Sequence, residues 1–438
     1  MNTARLGSFL AAAVLLGLVA GCSSASKAHL VRVTRAEAPA VTTGRVTPRL
    51  SEDDPRSPWI IAPPGSFTDE KQATYVAARE AFWNYDLEKT AELLHKAHAD
   101  GILKDPSFYY LLLTCYERSG RWADTLPLYE RFGITESHRG WKEVAETFAR
   151  FPTMAVDFAN DAPPLAFNLK YGDLVIAEVT VNGTPARVLL DTGANMTWWS
   201  RSFARRAGLQ SLDVTVSLGD ANASRRKTDL VLMRELKLGG LTVRDAPAIA
   251  GRAWLVQFML GIDGIVGWDV LQHAHLVFDF PARRLTIARP SEPIPDAPLL
   301  SGRVEPILTV RSSEGVPLHL FLDSGATSNK SGVALYTNEG AIETKVAVRE
   351  FRRGWWPSFS LGMHSLSVAW PLRVKPFSFW MDGHRFETQG ASLADEMHIV
   401  DDFAYYDGLV GLGPFLGGKL TLCGVRRIVK FEPGVPPP

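Results

Sequence analysis

The rhythm of apolar and polar positions changes three times along this 438-residue chain. Phe9 to Ala20 is apolar apart from Gly17, with Arg5 supplying positive charge before it. That run is too short to span a bilayer and suits the core of a secretory signal. From Ser23 to about Pro64, Ser, Thr, Pro and charged residues show no apolar periodicity, which predicts a tether. From Asp69 to about Phe151 apolar residues return at helical spacing, with few Gly or Pro. After Pro163-Pro164, short β-branched and aromatic runs alternate with turn residues to the end. This is the pattern of a mainly β region with small helices, such as Ser200 to Ala207. Tyr171 to Leu190 reads as two strands joined at Asn182-Gly183, the strongest local hairpin signal. Val214 to Lys227 reads as a second hairpin with its tip near Gly219-Asp220-Ala221-Asn222. The chain thus divides into a signal over 1–22, a disordered tether over 23–65, a helical domain over 66–152, and two β lobes over 165–290 and 300–438.

The β region repeats itself. Gly183-Thr184-Pro185-Ala186-Arg187-Val188-Leu189-Leu190-Asp191-Thr192-Gly193-Ala194 matches Gly315-Val316-Pro317-Leu318-His319-Leu320-Phe321-Leu322-Asp323-Ser324-Gly325-Ala326 without a gap, at an offset of 323 − 191 = 132. Asp263-Gly264-Ile265-Val266-Gly267 is echoed by Asp407-Gly408-Leu409-Val410-Gly411. Each echo precedes a strand, an Arg-Arg pair (Arg283-Arg284 and Arg426-Arg427) and another strand. The motifs stand 263 − 191 = 72 residues apart in the first copy and 407 − 323 = 84 in the second, which places an insertion in the second.

A carboxylate straight after a buried apolar strand sits at a sheet's end, near a lobe interface. The Gly that follows permits a turn in which amide N–H groups approach the carboxylate. Two such loops face to face bring two carboxylates within hydrogen-bond range. Like charges that close cannot both ionise, so the pair keeps one proton over a wide pH range. The ionised member can take a proton from a water, and the protonated member can donate to a carbonyl oxygen. That chemistry requires no metal or other cofactor. No Cys/His cluster has metal-ligand spacing, and His273-Ala274-His275 lacks a third ligand nearby and reads as a surface pair.

Over about residues 165 to 438 these motifs resemble the aspartic peptidases of the retropepsin and pepsin superfamily. The resemblance implies a mainly β, two-lobed acid protease fold, with Asp191 and Asp323 as the catalytic pair for peptide-bond hydrolysis. It assigns support of the two loops to Thr192, Gly193, Ala194, Ser324, Gly325 and Ala326, the two hydroxyls bonding backbone across the lobe interface. The Ala after each Gly resembles the retroviral pattern, whereas both lobes in one chain resemble pepsin. Pepsin-like enzymes usually carry Ser or Thr there, hydrogen-bonded to the carboxylate and favouring its charge. Ala194 and Ala326 cannot do so, so an optimum less acidic than pepsin's is expected. No Tyr stands at the first flap tip, a departure from pepsin. In the second lobe Arg352-Arg353-Gly354-Trp355-Trp356 occupies the corresponding stretch, as lid or as core. Trp198-Trp199 are expected to pack under the site.

Ahead of the lobes, Leu18-Val19-Ala20-Gly21-Cys22 resembles the bacterial lipobox. This implies a diacylated Cys22 as the first mature residue and a lipoprotein of the cell envelope, with Ser23 favouring the outer membrane or periplasmic face over the inner membrane. Cys115 and Cys423 then remain, in different domains, and do not make a disulfide framework. In the helical domain Tyr85 to Leu93 lines up with Gly120 to Leu128 at an offset of 120 − 85 = 35, which resembles tetratricopeptide repeats. A protein-binding groove and a plain spacer both stay open there. Lys plus Arg equals Asp plus Glu at 47 each, which leaves no electrostatic footprint for nucleic acid. With both half-sites in one chain a monomer is expected. Three functions fit: an endopeptidase acting on exported or envelope proteins, a catalytically silent two-lobed binding scaffold, or a hydrolase of a peptide-like cell-wall fragment. Two retained Asp argue against the scaffold, which needs neither.

Overall fold

The computed structural model describes residues 32–37, parts of 74–150, and most of 154–434, with its longer gaps at 220–224, 291–305, 327–332, 337–350 and 395–406. The signal with Cys22, the rest of the tether, Cys115, the first flap tip and Trp355-Trp356 lie outside the described residues.

Strand β1 (Arg32–Arg35) precedes a helical segment in which the described residues include α1 (Leu87–Ala99), α2 (Trp122–Phe132) and α3 (Glu136–Phe148). The first lobe opens with β2 (Ala155–Phe158), β3 (Leu165–Lys170), β4 (Leu174–Val181), β5 (Thr184–Leu190), β6 (Trp198–Ser200) and α4 (Arg201–Arg206). It continues through β7 (Gln210–Gly219), β8 (Arg225–Leu238), β9 (Leu241–Gly251), α5 (Trp254–Leu260), β10 (Gly264–Val266), α6 (Trp268–Leu271), β11 (His275–Asp279) and β12 (Arg284–Ala288). The second lobe begins with β13 (Ile307–Ser312), β14 (Pro317–Leu322), β15 (Val333–Tyr336), β16 (Phe351–Arg353), β17 (Ser358–Leu361), β18 (Leu366–Ala369) and β19 (Leu372–Val374). It closes with β20 (Phe377–Met381), β21 (His384–Thr388), β22 (Ala391–Ala394), β23 (Gly408–Val410), β24 (Gly418–Cys423) and β25 (Ile428–Pro433).

The internal repeat is also a repeat of topology. In the first lobe β5 pairs parallel with β10, β10 antiparallel with β6, and β6 parallel with β9. In the second, β14, β23, β15 and β22 follow in the same order and with the same sequence of directions. The lobes are joined where β11 pairs antiparallel with β24, Val277 opposite Thr421. Those two residues are separated by 421 − 277 = 144, the same offset as Val266 and Val410, so an approximate twofold axis passes through that pair. Each Arg-Arg pair falls at the turn between two strands as expected, and the same offset gives their register. Arg283 (φ 54°) and Arg427 (φ 56°) occupy equivalent left-handed turn positions, and the second pair is therefore one residue out of register with the first. A turn position is set by backbone conformation, and identical side chains one step away do not mark it.

The expected hairpin between β4 and β5 turns at Asn182 and Gly183, both at positive φ (48° and 78°), with Val181 opposite Thr184. That is the two-residue turn whose twist matches flanking strands. β7 and β8 form the second expected hairpin, paired out to Gly219 and Arg225. The tether differs from expectation in one stretch: Arg32–Arg35 forms a strand at the edge of the second-lobe sheet, antiparallel to β21. The helical offset of 35 recurs in the backbone. The Asp86 N–H donates to the Ala81 carbonyl and the Arg121 N–H to the Tyr116 carbonyl, both at 2.8 Å. No helix among the described residues is long and apolar enough to cross a membrane.

Strand alternation gives the first-lobe sheet two apolar faces. Val188, Leu190, Trp199, Ala248, Ala250 and Val266 join the large core that runs on into the second lobe. On the opposite face Ile176, Leu189, Ile265, Trp198, Ile249 and Leu230 stand in register as one row across β4, β5, β10, β6, β9 and β8. Val256 and Leu260 of α5 pack on this row, as do Val144 and Phe148 of α3. The helical segment is thus seated on the first lobe, where α3 also packs along β7.

Candidate active site

Asp191 and Asp323 each extend a buried strand, β5 and β14, by one residue. The Asp191 N–H still donates to the Val266 carbonyl (3.0 Å) and the Asp323 N–H to the Val410 carbonyl (2.9 Å). Each chain then turns through the Gly, whose N–H returns to its own Asp: Gly193 to Asp191 Oδ1 at 2.8 Å, Gly325 to Asp323 Oδ1 at 2.9 Å. A Cβ on Gly193 would overlap the Asp323 carboxyl, and one on Gly325 the Asp191 carboxyl. Glycine is therefore demanded at both positions by the approach of the opposite acid. The glycines ending the apolar-apolar-Gly elements have a related role: a Cβ on Gly267 would crowd the Ala194 carbonyl, and one on Gly411 the Ala326 carbonyl.

Four reciprocal bonds lock the loops. Thr192 Oγ1 donates to the Leu322 carbonyl (2.6 Å) and accepts from the Ser324 N–H (3.0 Å). Ser324 Oγ donates to the Leu190 carbonyl (2.8 Å) and accepts from the Thr192 N–H (2.8 Å). Both hydroxyl residues are buried.

The two carboxyl groups are hydrogen-bonded to one another. Burial pushes the Asp191 carboxyl above the usual range, while the Gly193, Gly325 and Ala194 amides hold it back. Asp323 is pushed well up, by burial and then by the charge of Asp191. Both acids are thus pushed toward the protonated form, and the pair shares a single proton. Each Asp residue nonetheless keeps part of its surface open. The pair can accept a proton at one carboxyl and donate one at the other.

Of the remaining residues singled out by sequence, Trp199 lies on the core face, its Nε1–H on Met233 Sδ at 3.0 Å and its ring centroid 4.8 Å from that of Phe203. Trp198 lies on the other face with Leu189 and Ile265. The Trp pair therefore straddles the sheet, as adjacent strand residues must. Sequence reasoning missed Asp269. Its Oδ2 accepts the Thr197 N–H (3.0 Å) and its Oδ1 the Thr197 hydroxyl (2.9 Å), while Thr197 Oγ1 accepts the Gly267 N–H (3.2 Å). The Trp268 N–H donates to the Ala194 carbonyl (2.8 Å), so these bonds brace the far end of the Asp191 loop. Burial pushes the Asp269 carboxyl up to about 7. The equivalent second-lobe position, 269 + 144 = 413, is Gly413, so the brace belongs to one lobe. The available signal was a single charge inside the apolar run Trp268-Asp269-Val270-Leu271.

Residues 177–270 match the aspartyl protease family, a span holding the Asp191 loop and the Gly264–Gly267 element. Among solved structures the chain is similar to a retropepsin-like aspartic protease from Rickettsia conorii, at 14% identity over 28% of this chain and 86% of that one, with a TM-score of 0.21. No curated protein matches the chain. The family match falls within the first lobe, and the second lobe repeats its Asp loop and its apolar-apolar-Gly element in the same polypeptide.

Proposed function

We propose that the protein is an aspartic endopeptidase of the cell envelope, cleaving peptide bonds with a water activated between Asp191 and Asp323. The observation that carries this reading is the hydrogen-bonded carboxyl pair, clamped by the reciprocal bonds of Thr192 and Ser324. In the first step Asp191 takes a proton from water as the water oxygen bonds to the peptide carbonyl carbon. Asp323 gives its proton to the carbonyl oxygen as charge develops there. The resulting diol carbon then expels the amine. Asp191 returns its proton to the departing nitrogen while Asp323 recovers one from the diol hydroxyl, so the pair ends with the single proton it began with. The clamp keeps the two acids at the separation this exchange needs.

The envelope address rests on the apolar run from Phe9 to Ala20 and on Cys22. Metabolic labelling with palmitate should mark the full chain and not its Cys22→Ala variant. Label retained by that variant rules out this anchor. The peptidase reading is tested by exposing the full chain to a diverse peptide library, beside Asp191→Asn and Asp323→Asn, with and without a statine-containing peptide. Cleavage by wild type alone, blocked by the statine peptide, is expected. Cleavage that survives either substitution removes the pair from the chemistry. Binding without cleavage by wild type identifies a scaffold instead.

A further inference from the structure

The face of the first-lobe sheet that carries Asp191 does not belong to the lobe alone. Leu189 precedes Asp191 by two residues, so both point to the same side of the strand, about 7 Å apart. Leu189 belongs to the apolar row completed by Ile265 and Trp198, and the helical segment supplies Val144 and Phe148 to the cluster on that row. Most members of the cluster are fully buried and serve as packing. Five are only half-buried and pack at its margin: Trp122 from the helical segment, Ala194 and Met196 from the Asp191 loop, and Leu212 and Val214 from β7. Trp122 opens α2 and rests on the last residue of α3, its ring centroid 4.9 Å from that of Phe148. Three separate parts of the chain therefore contribute unfinished apolar surface to one cluster, next in line after the candidate catalytic carboxyl. An apolar side chain laid there would complete the burial of groups already stripped of half their water.

We infer that Trp122, propped on Phe148, forms with Met196 and Val214 an apolar subsite that accepts a bulky aliphatic or aromatic side chain of the peptide substrate on the first-lobe side of Asp191. The helical segment is on this view a wall of the substrate groove and a determinant of specificity. The inference rests on the peptidase reading, and its test separates the two. Peptides varied one position at a time between Ala and Leu or Phe are cleaved by the full chain with Trp122, Trp122→Phe or Trp122→Ala. Trp122→Ala should raise KM about tenfold for peptides with Leu or Phe at one particular position. It should leave their kcat, and both constants for the Ala peptides, within about twofold. Trp122→Phe should restore the preference. If Trp122→Ala fails to fold, Trp122→Leu, which keeps much of the apolar volume, is read the same way. An equal change at every position, or no change, overturns the subsite while leaving wild-type cleavage standing. A wild type that cleaves none of the peptides removes the peptidase reading, and the subsite with it.

Discussion

Replacing Thr192 with Ala probes directly how the two loops are held together. The substitution deletes a hydroxyl that donates to the Leu322 carbonyl at 2.6 Å and accepts from the Ser324 N–H at 3.0 Å. Thr192 and Ser324 are only 1% and 2% exposed, so water cannot replace either bond. A buried polar group left without a partner costs about 1–3 kcal/mol. Two such groups give roughly 2–6 kcal/mol, and the lost methyl adds about 1 kcal/mol. Thr192→Ser keeps the hydroxyl and loses only the methyl, so its cost stays near 1 kcal/mol. Equilibrium unfolding in guanidinium chloride at pH 7 resolves the two variants. Ser324→Ala, which removes the mirror-image bonds to Leu190 and Thr192 but no methyl, should cost roughly 2–6 kcal/mol. A Thr192→Ala protein within about 1 kcal/mol of wild type, or no more destabilised than Thr192→Ser, refutes the clamp.

Gly325→Ala and Gly193→Ala place a methyl against the opposite carboxyl, and each should lower kcat/KM about 100-fold or more in a folded protein. Circular dichroism verifies the fold, and activity near wild type contradicts the close approach of the acids. Asp269 makes stability fall with rising pH. Its folded-state pKa of about 7 lies above the ordinary 3.8, so the folded protein holds an extra proton between those values and loses that advantage as the pH climbs through the window. The ceiling of this effect is about 4 kcal/mol. Asp269→Asn should therefore gain on wild type from pH 4 to pH 7 in melting experiments, and a difference between the two that is constant over that range refutes the assignment.

What could be read from sequence was whatever repeats or follows a strict local rule. The two Asp loops match over twelve consecutive residues, and Asn182-Gly183 demands a particular turn, so both were legible. Strand β1 was not. Arg32-Val33-Thr34-Arg35 carries one strongly apolar residue, Val33, which packs partly buried on the core, and the rest is held by backbone pairing with β21. Asp269 stayed hidden because its partner, Thr197, is 269 − 197 = 72 residues away and the pairing has no counterpart in the second lobe. The seating of α3 on the first lobe was equally out of reach. An amphipathic helix announces that one face is covered, and the identity of the covering surface is a tertiary matter. Trp198 and Trp199 illustrate the same limit, since their burial was legible but their division between two faces required the register of β6 with β10.

The pH dependence of kcat/KM on a single cleaved peptide tests the one-proton carboxyl pair most directly. A pair with one member ionised and the other protonated should yield a bell with one acid and one alkaline limb, centred above pH 4 because burial raises both acids and neither Ala194 nor Ala326 offers a hydroxyl to stabilise charge. A profile centred well below pH 4, or one that keeps its shape and height in the Asp323→Asn protein, contradicts it.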